Sequence, residues 1–165
     1  MSSRQDFLME ITFLVKYDDD DARNHLNEIE RRLGDFRPLF LKIQKDLEAS
    51  WSANFATLGL SSGSPWKPLD PQYGSWKAVH FPGAPPMIKT GKLFSSLSDL
   101  RGKANDIERM HARFGTDIEY AKFHQYGTTR MPKRQIVFVE QGAESRWADN
   151  AAHYVVDGIE GLNND

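Results

Sequence analysis

Five histidines are the candidates for acid–base chemistry in this chain of 165 residues: His25, His80, His111, His124 and His153. No two of them stand four residues apart, the spacing that places two metal ligands on one helix face. His124 lies in the dense polar stretch GTDIEYAKFHQYGTTRMPKR, residues 115–134, near Asp117 and Glu119. Pairing with either carboxylate would support general acid–base catalysis. The alternative is that His124 hydrogen-bonds a backbone carbonyl near the turn at Gly127.

Other chemical motifs are missing from the sequence. It holds no phosphate-binding loop, dinucleotide fingerprint, zinc-ligand spacing or nucleophile elbow. The absence of cysteine excludes disulfides, thiolate metal sites and cysteine nucleophiles. Four aspartates, Asp18 to Asp21, are adjacent and not spaced as in a calcium loop, so they predict a capped, negatively charged helix start. The sequence therefore predicts no cofactor, no metal and no catalysis.

Charge is unevenly distributed along the chain, although the net charge is only −2. Residues 66–134 hold 12 basic and 6 acidic groups, a charge of +6, and residues 135–165 hold 1 and 6, a charge of −5. Oppositely charged segments favour contact between copies of one protein over nucleic-acid binding, which usually needs a larger basic excess. No apolar run approaches the roughly 20 residues that cross a bilayer, so no membrane contact is expected.

The apolar pattern predicts the elements that position these groups. Alternating apolar residues predict a strand over residues 7–15. Helical spacing predicts a helix from Ala22 to Gly34 and a second helix after Pro38. A third amphipathic pattern near the C-terminus predicts a helix containing Trp147, Ala151, Tyr154, Val155, Ile159 and Leu162.

Residues 59–90 contain six of the eight prolines and four of the twelve glycines. Proline lacks an amide donor and glycine tolerates positive φ, so the composition predicts a long loop or arm with little regular structure. Two interpretations of its aromatic residues stand side by side. They insert into a neighbouring molecule, as interface anchors do, or the loop folds back over its own core.

Shorter elements complete the predicted order. Thr90 is expected to cap a short helix, residues 98–101 to form a strand that turns at 102–105, and residues 107–116 to form its hairpin partner. A further strand is predicted at residues 135–140. The class is therefore α+β, with a small antiparallel sheet packed against two or three helices in a single domain over residues 1–165.

Four short motifs occur in a fixed order: WKPL, KTGKLFSSL, FGTDIEYAKFHQYGTT and MPKR. This series resembles the virion morphogenesis, or tail completion, proteins of tailed bacteriophages over about residues 50–145. One departure concerns the segment after Pro-x-Arg, where the family usually has Pro-Phe and this chain has Gln135 and Ile136. The matching positions in this chain are Trp66, Lys67, Pro68, Leu69, Thr90, Gly91, Leu93, Tyr120, His124, Gln125, Gly127, Pro132 and Arg134.

The resemblance implies a structural role at the joint between the DNA-filled head and the tail of a virion assembled in the bacterial host cytoplasm. It implies a ring, most plausibly hexameric, that completes the tail and contacts neck and tail-tube proteins. DNA would pass through the lumen without specific binding. A head-closure adaptor of the neck is the alternative within this class, and a small hydrolase or toxin-like enzyme using His124 is the alternative outside it.

A ring built from one chain needs two different patches that meet, and the motif residues are the predicted interface. Tyr120, His124 and Tyr126 are expected to present polar-tipped aromatic groups beside the Gly127 turn. Arg130, Lys133 and Arg134 are expected to contact an acidic helix of a neighbouring copy or, less favoured, the phosphates of threaded DNA.

Overall fold

Three long helices follow the apolar stripes of the sequence. The computed structural model describes residues 19–161, with α1 at Asp19–Leu33, α2 at Arg37–Ala56 and α6 at Ala143–Asp157. Proline in the first turn of α2 costs no hydrogen bond, because the first amide groups of a helix have no intrahelical partner. All three predicted helices are confirmed. The C-terminal one ends earlier than predicted, in a 3-10 turn at Gly158–Gly161, and Leu162 lies outside the described residues.

The core lies between helix α2, two shorter helices and the segment 135–140. The shorter helices are α4 (Lys92–Ser98) and α5 (Ala121–Tyr126). Its buried members share an apolar character and come from distant parts of the chain: Leu47, Trp51, Phe55, Trp66, Leu93, Leu97, Leu100, Ala121, Ile136 and Phe138. The burial of Leu97 and Ile136 is complete. This core fixes where the ends of α4 and α5 lie, and both ends contribute to the candidate site.

Helix α1 is held mainly at its C-terminal end. The Arg32 guanidinium donates to the carbonyl oxygens of Val155 and Val156 at 3.2 and 2.7 Å, which satisfies two free carbonyls at the end of α6. No residue of α1 is buried, and Leu26 is 64% exposed. No residue of α1 therefore belongs to the buried core.

The segment 59–90 is more regular than predicted. It contains a 3-10 turn at Leu60–Ser62 and a ten-residue helix, α3, at Pro71–His80. The Asp70 carboxylate accepts hydrogen bonds from the amides of Gln72 and Tyr73, and Pro71 occupies the first turn. The prediction of little regular structure was wrong here, because an aspartate followed by proline is a helix start and not a break.

The same segment folds back onto its own molecule. Trp66 is buried in the core, and Met87 and Ile88 pack against it. Of the two interpretations of this segment, the structure supports folding back for these three residues. The exposed side chains of α3 remain available to another molecule.

Most of the predicted strands do not form among the described residues. One antiparallel pair forms among the described residues, β1 (Asp106–Ile107) with β2 (Ala112–Arg113), so the hairpin lies inside the segment predicted as one strand. Residues 98–101 are a helix end and a turn, and residues 135–140 form no strand and bend at Val137. The strand predicted at residues 7–15 lies outside the described range.

Helix α4 begins at Lys92 after Gly91, which has φ 77°, and no side-chain cap is present. The predicted Thr90 cap is therefore wrong. Because the described part of the chain holds six α-helices and a two-stranded antiparallel sheet, the α+β class is confirmed. No helix in residues 19–161 combines the length and apolar character needed to cross a membrane.

Candidate functional site: a cationic cavity formed by the sequence motifs

Arg134 ties the first motif to the last. Its side chain is buried, with 4% exposed, and its guanidinium Nε and Nη2 donate to the carbonyl oxygens of Lys67 and Pro68 at 3.0 Å each. Its backbone amide donates to the His124 carbonyl oxygen at 2.8 Å. Arg134 was predicted to face a neighbour together with Arg130 and Lys133. The structure gives it an internal role instead, because two backbone carbonyls bind both arms of its guanidinium group.

Trp66 holds the WKPL motif against the core. Its indole Nε1 donates to the Gln135 carbonyl oxygen at 2.9 Å, and its ring packs edge-on against Phe55 at 5.2 Å between centroids. Trp66 therefore fixes the start of WKPL to the core, and it is not an exposed interface anchor.

The side-chain amide of Gln125 binds the backbone of the segment that follows Arg134. Its Oε1 accepts from the amides of Ile136 and Val137 at 2.9 Å each, and its Nε2 donates to the Val137 carbonyl oxygen at 2.8 Å. One side chain thus satisfies three backbone groups that a β-ladder would otherwise pair. These bonds hold Ile136 and Val137 in place without a neighbouring strand.

Gly127 closes the turn between α5 and the MPKR motif. It has φ 76° and ψ 176°, a combination that is essentially restricted to glycine. A Cβ at this position would lie 2.8 Å from the Lys133 amide nitrogen. The loop can therefore pass this closely only because residue 127 has no side chain.

These contacts bring the motifs around one cavity of about 620 Å³. We call it the cationic cavity. Eight of the thirteen motif residues line it: Leu69, Thr90, Gly91, Leu93, Tyr120, His124, Pro132 and Arg134. The other five support it: Trp66 from the core, Lys67 and Pro68 through their carbonyls, and Gln125 and Gly127 from the turn. Their assignment to a subunit interface stays a prediction.

The cavity lining is strongly basic. It includes five cationic side chains: Lys77, Lys89, Lys92, Arg130 and Arg134. Asp70 is the one carboxylate among the described residues that line it, and that carboxylate already caps α3. The lining also includes the apolar side chains of Met87, Leu93 and Met131. A cavity with this lining suits a ligand that carries negative charge beside an apolar surface.

The five cations differ in how they are held. The buried Lys77 ammonium donates to the Pro85 carbonyl oxygen, and burial lowers the pKa of Lys77. The Lys89 ammonium lies over the rings of Trp76 and Phe81, 5.1 and 5.0 Å from their centroids. In contrast, the exposed side chains of Lys92 and Arg130 make no hydrogen bond or ion pair within residues 19–161.

A row of aromatic rings runs along α3 beside the cavity. Tyr73 and Trp76 stack at 5.7 Å, and Trp76 stacks on His80 at 4.6 Å. Tyr73 and Trp76 are 43% and 39% exposed. Sequence reasoning counted these aromatics but not their arrangement, because the helix that aligns them was not predicted. The Asp70–Pro71 pair was the signal that could have revealed it.

His124 does not have the partners that either sequence interpretation gave it. Its Nδ1 is buried without a hydrogen-bond partner, so the predicted bond to a backbone carbonyl is wrong for this atom. No ion pair in the described part of the chain joins His124 to Asp117 or Glu119. Burial lowers the pKa of His124, and the positive charge of Arg134 lowers it further. Both effects favour the neutral form of the ring.

This environment predicts a pH dependence of stability. Because the folded pKa of His124 lies below its ordinary value of 6.5, the unfolded chain binds a proton there more readily. The stability that neutral His124 contributes to the fold is fully present above pH 6.5. It is lost as the pH falls toward the pKa of His124 in the folded protein. We expect urea unfolding between pH 7.5 and 5 to show a smaller loss of stability in His124→Asn than in the wild type.

A His153→Asn variant controls for removing an exposed histidine, since His153 lies on α6 away from the cavity motifs. It should follow the wild-type profile. Equal slopes for His124→Asn and the wild type would contradict the assigned environment of His124.

The chain as a whole is similar to one known protein family. The model of the phage virion morphogenesis family matches residues 17–154. The chain belongs to the phage virion morphogenesis family. It is thus a phage protein of virion assembly, as the motifs predicted. No curated protein and no solved structure gave a significant match.

Proposed function

We propose that this chain is a structural component of the head–tail junction that completes the tail and lets a filled head dock. The observation that carries the proposal is the convergence of the motifs. The segments that carry the family resemblance enclose one basic, aromatic-rimmed cavity and not a set of reactive groups. Such a surface suits the binding of another protein. We further propose that copies of the chain associate in a ring, with six as the expected number, around a DNA passage.

Exposed apolar side chains support association. Outside the core, Val79 is 76% exposed, Tyr126 78% and Ile159 67%. They lie on α3, at the end of α5 and after α6. Two different contact faces are what a closed ring of identical subunits requires.

A structural role is also favoured over the hydrolase alternative by His124. A general base needs a hydrogen-bond path to its substrate and usually a group that orients it. The Nδ1 atom of His124 has no partner in the described residues, and Arg134 opposes its protonation. No observation in residues 19–161 specifically favours catalysis.

The test is deletion of the gene from its phage, followed by electron microscopy of the lysate. We expect filled heads and separate tails, and restoration of joined virions when the wild-type chain is supplied from a plasmid. Normal virions without the gene would overturn the proposal.

The same micrographs separate the two junction roles. Tails of irregular length beside stable, filled heads indicate a tail terminator. Tails of normal length beside heads that have lost their DNA indicate the head-closure adaptor.

A further inference from the structure

The cationic cavity holds positive charges that nearby carboxylates do not neutralise. Lys77 and Arg134 donate to backbone carbonyls, Lys89 rests on aromatic rings, and the Asp70 carboxylate caps α3. Lys92 and Arg130 therefore add positive charge that no carboxylate of the described residues neutralises. Like charges gathered around one opening repel each other, and a bound anion relieves that repulsion.

Helix α1 carries the complementary feature on the same chain. Its first turn presents Asp19, Asp20 and Asp21, and Asp19 and Asp21 are exposed. None of the fifteen residues of α1 is buried, and its apolar stripe leaves Leu26 64% and Leu33 50% exposed. A helix of this length has marginal stability in water unless its apolar face is covered.

The position of α1 makes contact with another molecule possible. Arg32 fixes the C-terminal end of the helix to α6, whereas the cavity is formed by α3, α4, α5 and the MPKR loop. At about 1.5 Å of rise per residue, the acidic turn lies roughly 20 Å along the helix from Arg32. The acidic turn is thus displaced from the anchored end, and the exposed Leu26 follows it along the helix.

We propose that the cationic cavity binds the acidic first turn of α1 from a second copy of this chain. The aspartates meet Lys92 and Arg130 at the opening, and Leu26 further along the helix meets the apolar lining residues Met87, Leu93 and Met131. The contact joins two different patches, so each copy donates one helix and accepts another. Repeated around an axis, a contact of this type closes a ring.

This inference deepens the proposed function, on which it rests for the existence of contacts between copies. It names a different acidic partner from the C-terminal segment that the charge distribution first suggested. The acids of α6 include Glu144 and Asp149, which are separated along an anchored helix, whereas α1 concentrates three in one turn. The two possibilities are distinguished by substitution.

The experiment uses the full chain in three forms: Asp19→Lys with Asp21→Lys, Lys92→Glu with Arg130→Glu, and all four substitutions together. Association is measured by sedimentation velocity between about 0.05 and 0.5 M NaCl, because salt screens exposed charge pairs. We expect each double variant to weaken association about tenfold or more, and the fourfold variant to recover most of it because the charges are exchanged. Circular dichroism checks that all variants remain folded.

The same forms are supplied to the gene-deleted phage, which gives a readout even if the purified chain associates only on the virion. Each double variant should lower the infectious titre, and the fourfold variant should raise it again. Two matched controls carry the same charge changes elsewhere: Glu144→Lys with Asp149→Lys, and Lys45→Glu with Lys103→Glu. Neither control should change association or titre.

Three outcomes would overturn the inference: unchanged association and titre in both double variants, no recovery in the fourfold variant, or loss in the α6 control alone. In each of them the junction role can still stand, since it is tested by gene deletion. Conversely, normal virions after deletion with the expected charge-exchange result in sedimentation would overturn the junction role and leave the contact in place.

Discussion

Arg134→Met is expected to lower the free energy of unfolding by about 3 kcal/mol, because two backbone carbonyls lose the charged donors that bind them. Methionine fills a similar volume but donates no hydrogen bond. The Lys67 and Pro68 carbonyls then lose both guanidinium donors. Removing a buried charge offsets part of this cost, because burial already disfavours the charged guanidinium.

The measurement is urea unfolding at pH 7.5, with Arg130→Met as the matched control. Arg130 is exposed on the same loop and donates no side-chain hydrogen bond within residues 19–161, so its replacement should change stability by less than about 0.5 kcal/mol. Arg134→Lys should fall between the two, since a single ammonium cannot reproduce a planar fork that reaches two carbonyls. Equal stability of the Arg134→Met and Arg130→Met variants would contradict the internal role of Arg134.

The sequence could not reveal that internal role. Arginine beside proline in a loop is typical of a solvated surface contact, and the spacing of residues says nothing about two carbonyls some 66 positions away. The motif order identified the family and the residues that gather around the cavity. What it could not supply was which of them face the opening, such as Tyr120, and which of them hold it in shape, such as Trp66.

The fold shows the same division between local and long-range information. Helices α1, α2 and α6 were predictable because a helix satisfies its own backbone groups, so the apolar period is sufficient. Residues 135–140 carry the apolar pattern of a strand but form none. Their backbone groups bond to the side chains of Gln125, Asn54, Trp51 and Trp66, partners that no local pattern encodes. The burial of Ile136 and Phe138 was therefore predictable, whereas the pairing of the backbone was not.

The conformation of Gly59 sets the position of the first motif, and Gly59→Ala should be among the most damaging single substitutions in the described chain. Gly59 has φ 91° and ψ −3°, a left-handed conformation that costs a non-glycine residue roughly 1 kcal/mol. A Cβ there would also lie 2.5 Å from the Ser64 carbonyl oxygen and 2.4 Å from Cδ1 of Trp66. Both neighbours are fixed, since the Ser64 amide donates to the Gly59 carbonyl oxygen and the Trp66 indole donates to Gln135.

Gly142→Ala separates the two causes. Gly142 has nearly the same backbone angles, φ 81° and ψ −7°, but a Cβ there meets nothing within 4 Å. We expect Gly142→Ala to cost about 1 kcal/mol from the left-handed conformation alone, and Gly59→Ala to cost about 3 kcal/mol or more because Trp66 must also move. Thermal unfolding of both variants gives the comparison, and tryptophan fluorescence reports a shift of Trp66. Equal costs at the two glycines would show that the turn yields without displacing Trp66, and the first motif would then not depend on the close approach at Gly59.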